Sequence, residues 1–130
     1  MKRAAILFAL LALGLVAQVA VSAQTPKPVD LTGTWIGKTD VPNQGPDEVT
    51  IVFRKIDNVY AGTIVDSLGM IARDTEMKDV ELKGDELTLN FPLVDGTTIL
   101  CRLKVAGDKI TGQWGHPEGD VGDFEFTRKK

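Results

Sequence analysis

From Leu31 onward the apolar residues recur at every second position, and no longer window carries the three-to-four spacing of a helical stripe. Alternation of that kind puts one row of side chains on each face of an extended strand. Eight strands are expected, over residues 31–40, 48–56, 59–66, 77–83, 86–93, 97–105, 109–116 and 122–128. Residues 68–76 show no clean pattern.

The links between strands carry turn chemistry. Asp57-Asn58, Gly84-Asp85, Asp95-Gly96 and Gly107-Asp108 are pairs that adopt positive φ at low cost, as tight hairpins require. Residues 41–47 and the stretch around Pro117 to Asp120 are expected to be longer loops. Strands joined so closely must be antiparallel neighbours, because a parallel crossover needs a dozen or more residues.

Register follows from parity. A two-residue turn at Gly84-Asp85 sets Leu82 opposite Leu87, and one at Gly107-Asp108 sets Val105 opposite Ile110 and Cys101 opposite Trp114. Asp57-Asn58 sets Phe53 opposite Gly62 and Ile51 opposite Ile64. At Asp95-Gly96 a two-residue loop would pair Leu89 with Arg102. A three-residue loop, Val94-Asp95-Gly96, pairs Leu89 with Cys101 and Phe91 with Ile99, and leaves glycine at the left-handed third position. A slip of one residue would turn a whole apolar row to water.

The resulting inner face holds Leu31, Trp35, Val49, Ile51, Phe53, Tyr60, Ile64, Val80, Leu82, Leu87, Leu89, Phe91, Ile99, Cys101, Leu103, Val105, Ile110, Trp114, Phe124 and Phe126, with Gly33, Gly37, Gly62 and Gly112 among them. The other face is mostly Lys, Arg, Glu, Asp and Thr, apart from Ile36, Val52, Val65 and Leu100. One apolar face must be buried. The expected architecture is an all-β, eight-stranded antiparallel up-and-down barrel, since almost every link is a hairpin between neighbours and closure removes exposed edges. A two-sheet β-sandwich is the alternative, although sandwiches usually need longer Greek-key returns.

The first residues follow a different pattern. Met1-Lys2-Arg3 is a basic start, Ala4 to Val21 is almost continuously apolar, and Val21-Ser22-Ala23 is a small-residue cleavage signature. This is the layout of a secretory signal peptide over residues 1–23. A membrane helix is the alternative, but the run lies at the lower edge of spanning length and no basic flank follows it. Residues 24–30 read as a flexible, proline-containing lead-in, and residues 31–130 as a single domain. The expected location is the periplasm or the secreted fraction.

Removing residues 1–23 takes two of the 15 Lys and Arg and none of the 18 Asp and Glu, leaving a formal charge of -5. No basic stripe is present, so nucleic acid and anionic membrane surfaces are poorly served, and no membrane insertion is expected after cleavage. Cys101 is the single cysteine, which rules out an intrachain disulfide. A monomer is expected.

Three strands share an apolar, small, glycine, polar, large-apolar pattern: Leu31-Thr32-Gly33-Thr34-Trp35, Tyr60-Ala61-Gly62-Thr63-Ile64 and Ile110-Thr111-Gly112-Gln113-Trp114. Their spacing is too irregular for a solenoid. On these residues the chain, over roughly 31–129, resembles small secreted bacterial barrels of the lipocalin-like and avidin-like kind. It resembles more closely the short β domains found alone or beside hydrolase domains in exported bacterial proteins. The lipocalin resemblance implies an eight-stranded up-and-down barrel that holds an apolar small molecule, with Trp35 of Gly33-x-Trp35 as a packing residue near the barrel floor. Trp114 occupies a place similar to a late-strand tryptophan of avidins, but no motif here matches the polar residues that read biotin.

Candidate chemistry is sparse. One histidine, His116, cannot build an imidazole metal site, and Cys101 is expected to be a small buried hydrophobe. Ser67, the one serine after the leader, lacks a glycine-rich elbow. Glu118, Asp120 and Asp123 near the last long loop, and Asp40 and Asp47 flanking the first, are the remaining enzymatic option, as a carboxylate-based hydrolase. Their spacing matches no calcium loop. No catalytic residue, metal or cofactor is expected. The expected role is that of a non-catalytic exported barrel whose interior residues Trp35, Phe53, Tyr60, Phe91 and Trp114 either line a site for a small apolar or amphipathic ligand or fill the core. The number of large inner residues argues for filling. In that case the domain would be structural, or would bind another exported protein. No inward Asp, Arg or Asn is evident from the pattern.

Overall fold

The structure, a computed structural model, describes residues 29–130. The expected signal peptide over 1–23 and the lead-in as far as residue 28 lie outside the described residues. Nine strands form one antiparallel sheet: β1 (Gly33–Val41), β2 (Gly45–Ile56), β3 (Val59–Asp66), β4 (Thr75–Glu76), β5 (Lys78–Lys83), β6 (Glu86–Pro92), β7 (Thr98–Ala106), β8 (Lys109–Gly115) and β9 (Val121–Arg128). Their order is β4-β3-β2-β1-β9-β8-β7-β6-β5. The first and last long strands pair, Trp35 to Lys38 against Glu125 to Arg128. The two ends of the sheet then come side by side, with β3 packed near β5 and the Met77 N–H donating to the Gly62 carbonyl at 2.9 Å.

The molecule is therefore a nearly closed nine-stranded barrel. It is neither the eight-stranded lipocalin-like barrel expected from the sequence nor the two-sheet sandwich. The difference arises between β3 and β6. After the 67–74 loop, Thr75 and Glu76 pair briefly with Ile64 and Thr63, which adds β4 to the β3 edge. The chain then crosses to the other side of the seam. Asp79 adopts a positive φ of 53°, and the β5–β6 register shifts between Lys78 and Glu81. This bulge resets the alternation, so Met77 is buried and Val80, three residues on, still packs against the core.

The hairpin registers are those that parity requires. Leu82 faces Leu87, Cys101 faces Trp114, Phe53 faces Gly62, and Leu89 faces Cys101 across the three-residue loop. Asp57 and Asn58 both take positive φ, whereas Gly84 and Gly107 take it at the first turn position, and Gly96 takes it at the third position of its loop.

The first long loop is shorter than expected. β1 runs to Val41 and β2 begins at Gly45, so only Pro42-Asn43-Gln44 turns, with Asn43 at φ 65° and the Gln44 N–H donating to the Val41 carbonyl at 2.9 Å. The ladder now extends through Thr39 opposite Asp47. Both residues are buried, which corrects the expectation that no aspartate points inward.

Apolar side chains fill the core from Leu31 and Trp35 at one end towards Phe91 and Trp114 at the other. Glycines make room for rings there: Gly37 lies under the Phe126 ring and Gly122 under the Trp114 ring, each so close that a Cβ would collide with it. Val52 and Leu100 are exposed on the outer face, together with Val121, and Val65 is marginally so.

Candidate ligand cavity at the open end of the barrel

The β1–β2 turn end of the barrel is not filled. A cavity of about 190 Å³ opens there. β1 supplies Thr39 and Val41, β2 supplies Asp47 and Val49, and β3 with its following loop supplies Asp66, Met70 and Ile71. Phe91, Leu93 and Ile99 come from the β6–β7 hairpin, and Trp114, His116, Asp120 and Phe124 close the ring from β8 and β9. The walls are mainly apolar. A second, wider groove lies where β1 and β9 separate beyond Lys38 and Glu125. It is open, and its walls are mixed, including Lys38, Asp40, Gln113 and Asp123.

Two carboxyl groups organise the mouth. Asp47 is 4% exposed, and its Oδ1 accepts three hydrogen bonds: from the Ser67 N–H at 3.1 Å, the Ser67 Oγ–H at 2.9 Å and the Leu68 N–H at 3.1 Å. Asp66 accepts from the Met70 N–H at 3.3 Å and the Ile71 N–H at 2.9 Å. Together they wrap residues 67–71 over the cavity, with Ile71 turned into the core. Burial pushes the Asp47 carboxyl up to about 6, and a shared hydrogen bond with Asp66 pushes the same way against the Ser67 and Leu68 donors. Across the mouth, the Trp114 indole Nε1–H donates to Thr39 Oγ1 at 2.8 Å.

The five expected interior aromatics divide between the two ends. Phe91 and Trp114 line the cavity. Trp35 and Phe53 are fully packed at the opposite end, where Tyr60 is half-buried and its hydroxyl oxygen accepts from the Leu31 N–H at 3.2 Å. Of the loop acids, Asp120 lines the cavity, while Asp40 and Asp123 are exposed on the outside and Glu118 is exposed with its N–H donating to His116 Nδ1 at 3.1 Å. Pattern reading missed Thr39, Asp66 and Ile71, and it placed Asp47 at a loop when it lies inside the barrel. For Asp47 the signal was present, because it continues the inward parity of Val49, Ile51 and Phe53 by one more step.

Catalytic arrangements fit this geometry poorly. Glycosidase carboxyl groups face a substrate from about 5 Å or more apart, whereas Asp47 and Asp66 are turned to the backbone N–H groups of residues 67–71. Burial pushes the Cys101 thiol up to about 12, far from a reactive thiolate. Ser67 Oγ is committed to Asp47 and to the Glu48 N–H. Among the described residues, no group of three or more His, Cys, Asp or Glu could hold a metal ion.

Fold and cavity together define an antiparallel β-barrel with a packed floor and an acid-lined apolar mouth. Solved structures share the barrel. A redesigned β-barrel is similar at a TM-score of 0.58 and 12% identity, over 77% of this chain and 92% of that one. A de novo designed fluorescence-activating β-barrel is similar at 0.52 and 19%, over 76% and 94%. A mutant of the fluorescent protein UnaG aligns at 0.48 and 11%, over 75% and 95%. At such identities the first two establish the β-barrel fold and nothing finer. No protein-family model and no curated protein matches the chain.

Proposed function

We propose that residues 31–130 form a non-catalytic, exported barrel domain that holds a small apolar or amphipathic molecule at its open end. The observation that carries this reading is the 190 Å³ cavity, walled by Val49, Phe91, Ile99, Trp114 and Phe124 and carrying polar groups among them. An apolar cavity of roughly 150 Å³ accepts a benzene-sized guest, so the guest here is a single ring or a short chain. Drug-sized ligands occupy pockets of about 300 Å³ or more. Export is supported by the basic start, apolar run and small-residue signature of residues 1–23.

Native mass spectrometry of the protein isolated from the periplasm or medium of its own cell tests both parts. The expected spectrum shows a mature chain beginning near Gln24 and a co-purifying mass of small-molecule size. An intact leader on protein recovered from the cytosol contradicts export. A mature chain without guest, and without fluorescence response to small aromatic probes, contradicts the binding role.

A second reading, a domain that binds another exported protein, has one observation in its favour. Leu100 and Val121 are exposed on the outer face, both paired with Gly115, a glycine that leaves the space between them open. Alanine at both positions would abolish binding of a protein partner and leave small-molecule binding intact.

A further inference from the structure

The cavity carries charge of one sign. Its titratable groups are Asp47 from β2, Asp66 from the end of β3, His116 after β8 and Asp120 before β9, and neither lysine nor arginine is among its lining residues. Asp47 is the deeply buried member, and its oxygens are used unequally. Oδ1 takes all three bonds from Ser67 and Leu68. No N–H or hydroxyl of residues 67–71 donates to Oδ2, and a hydrogen bond between Asp47 and Asp66 requires that one of the two be protonated. A carboxylate in an apolar wall is costly unless a cation or donor meets it, and two carboxyl groups in contact do not both ionise cheaply. The fold supplies the aspartates with backbone donors from the 67–71 loop, and with no positive charge.

We propose that the cavity is selective for a small protonated organic amine, its ammonium group directed at Asp47 and Asp66 and its apolar body against Phe91, Ile99 and Trp114. This rests on the reading of the cavity as a ligand site and names the ligand class. The ammonium brings the one thing the lining lacks, a positive charge, and carries its own N–H donors. A guest of this kind displaces the proton held by the carboxyl pair: the ammonium enters, the pair's proton leaves to solvent, and the site's net charge rises by no more than a neutral guest would leave it. Binding therefore strengthens as pH rises through about 6, where the Asp47 carboxyl titrates, and levels off above.

The test is calorimetric titration of the isolated protein with benzylamine, benzyl alcohol and toluene, three probes of nearly equal shape, at several pH values from 5 to 7.5. Benzylamine is expected to bind at least about ten-fold more tightly than the other two at pH 7.5, and to lose about ten-fold on going to pH 5, following the ionised fraction of the pair. The alcohol and toluene are expected to show no such slope. Asp47→Asn should erase the preference for the amine while toluene still binds, and Asp66→Asn provides the same test if the first variant fails to fold. Equal binding of all three probes at every pH overturns the amine proposal and leaves the ligand cavity standing. Binding of none of them overturns the cavity reading and the amine proposal together.

Discussion

Trp35 and Trp114 stand at opposite ends of one barrel and are held in different ways. At the floor, Trp35 is 0% exposed, and its Nε1–H donates to the Leu31 carbonyl at 2.9 Å. The Arg128 guanidinium lies 4.3 Å from its ring centre and donates to the Thr32 and Asp30 carbonyls and to Asp108 Oδ1. The chain entering β1 and the chain leaving β9 are thus clamped over a filled interior. At the mouth, Trp114 is 8% exposed, bonds to a side-chain hydroxyl, and borders empty space. A cation covers the floor, and aspartates ring the mouth. The contrast separates two tasks in one small domain: packing and clamping concentrate at one end, and the other end keeps a space and a charge that packing alone would not retain.

The largest expected effect comes from the floor. Trp35→Ala removes a fully buried ring and should cost about 3–5 kcal/mol in chemical denaturation. That is a large share of a small domain's stability. Trp114→Ala should cost clearly less, since the ring already borders a cavity and is partly exposed. Equal losses would break the contrast.

Next is the clamp. Arg128→Met leaves two backbone carbonyls without their charged donor and should cost roughly 2 kcal/mol. Binding of a small probe at the mouth should be unchanged, and a changed probe affinity would show the two ends to be coupled. Asp108→Asn touches only an exposed partner of the same arginine, so its effect should be close to nothing.

The third effect is a slope with pH. The folded-state value of Asp47 is raised from 3.8 to about 6, so the native state holds this proton more tightly than the unfolded chain does. Its contribution to stability is complete below about 3.8 and is lost as pH rises through 6. Unfolding free energy measured between pH 4 and 6.5 should show this downward component, and Asp47→Asn should remove it. Asp30, Asp95 and Asp108, held low by their hydrogen bonds to Thr32, Thr97 and Arg128, act oppositely, and they do so as pH falls below the ordinary carboxylate value. The two windows can therefore be read apart.

Much of the floor was legible in the sequence, because hairpin parity fixes which residues face one another. Phe53 against Gly62 and Val105 against Ile110 follow from turn length alone. The mouth was less legible. Residues 67–71 are held by side chain to backbone bonds from Asp47 and Asp66, which leave no periodic trace. The bulge at Asp79 breaks the alternation on which strand counting depends, and a two-residue strand is too short to register as one. Asp47 and Thr39 were readable by extending the alternation past the expected loop boundary. Pro42, Gly45 and Pro46 drew that boundary too early, because the chain turns on three residues and Pro46 is accommodated within β2 opposite Asp40.

The two indole N–H groups make the most direct test of a mouth site against a closed floor. Each gives its own resonance in a ¹⁵N-correlated NMR spectrum, and benzylamine can be titrated against both at once. The Trp114 indole, bonded to Thr39 beside the cavity, should shift progressively and saturate, while the Trp35 indole stays where it is. Movement of Trp35 with Trp114 unaffected, or no saturable shift at either ring, would contradict a ligand site at the open end.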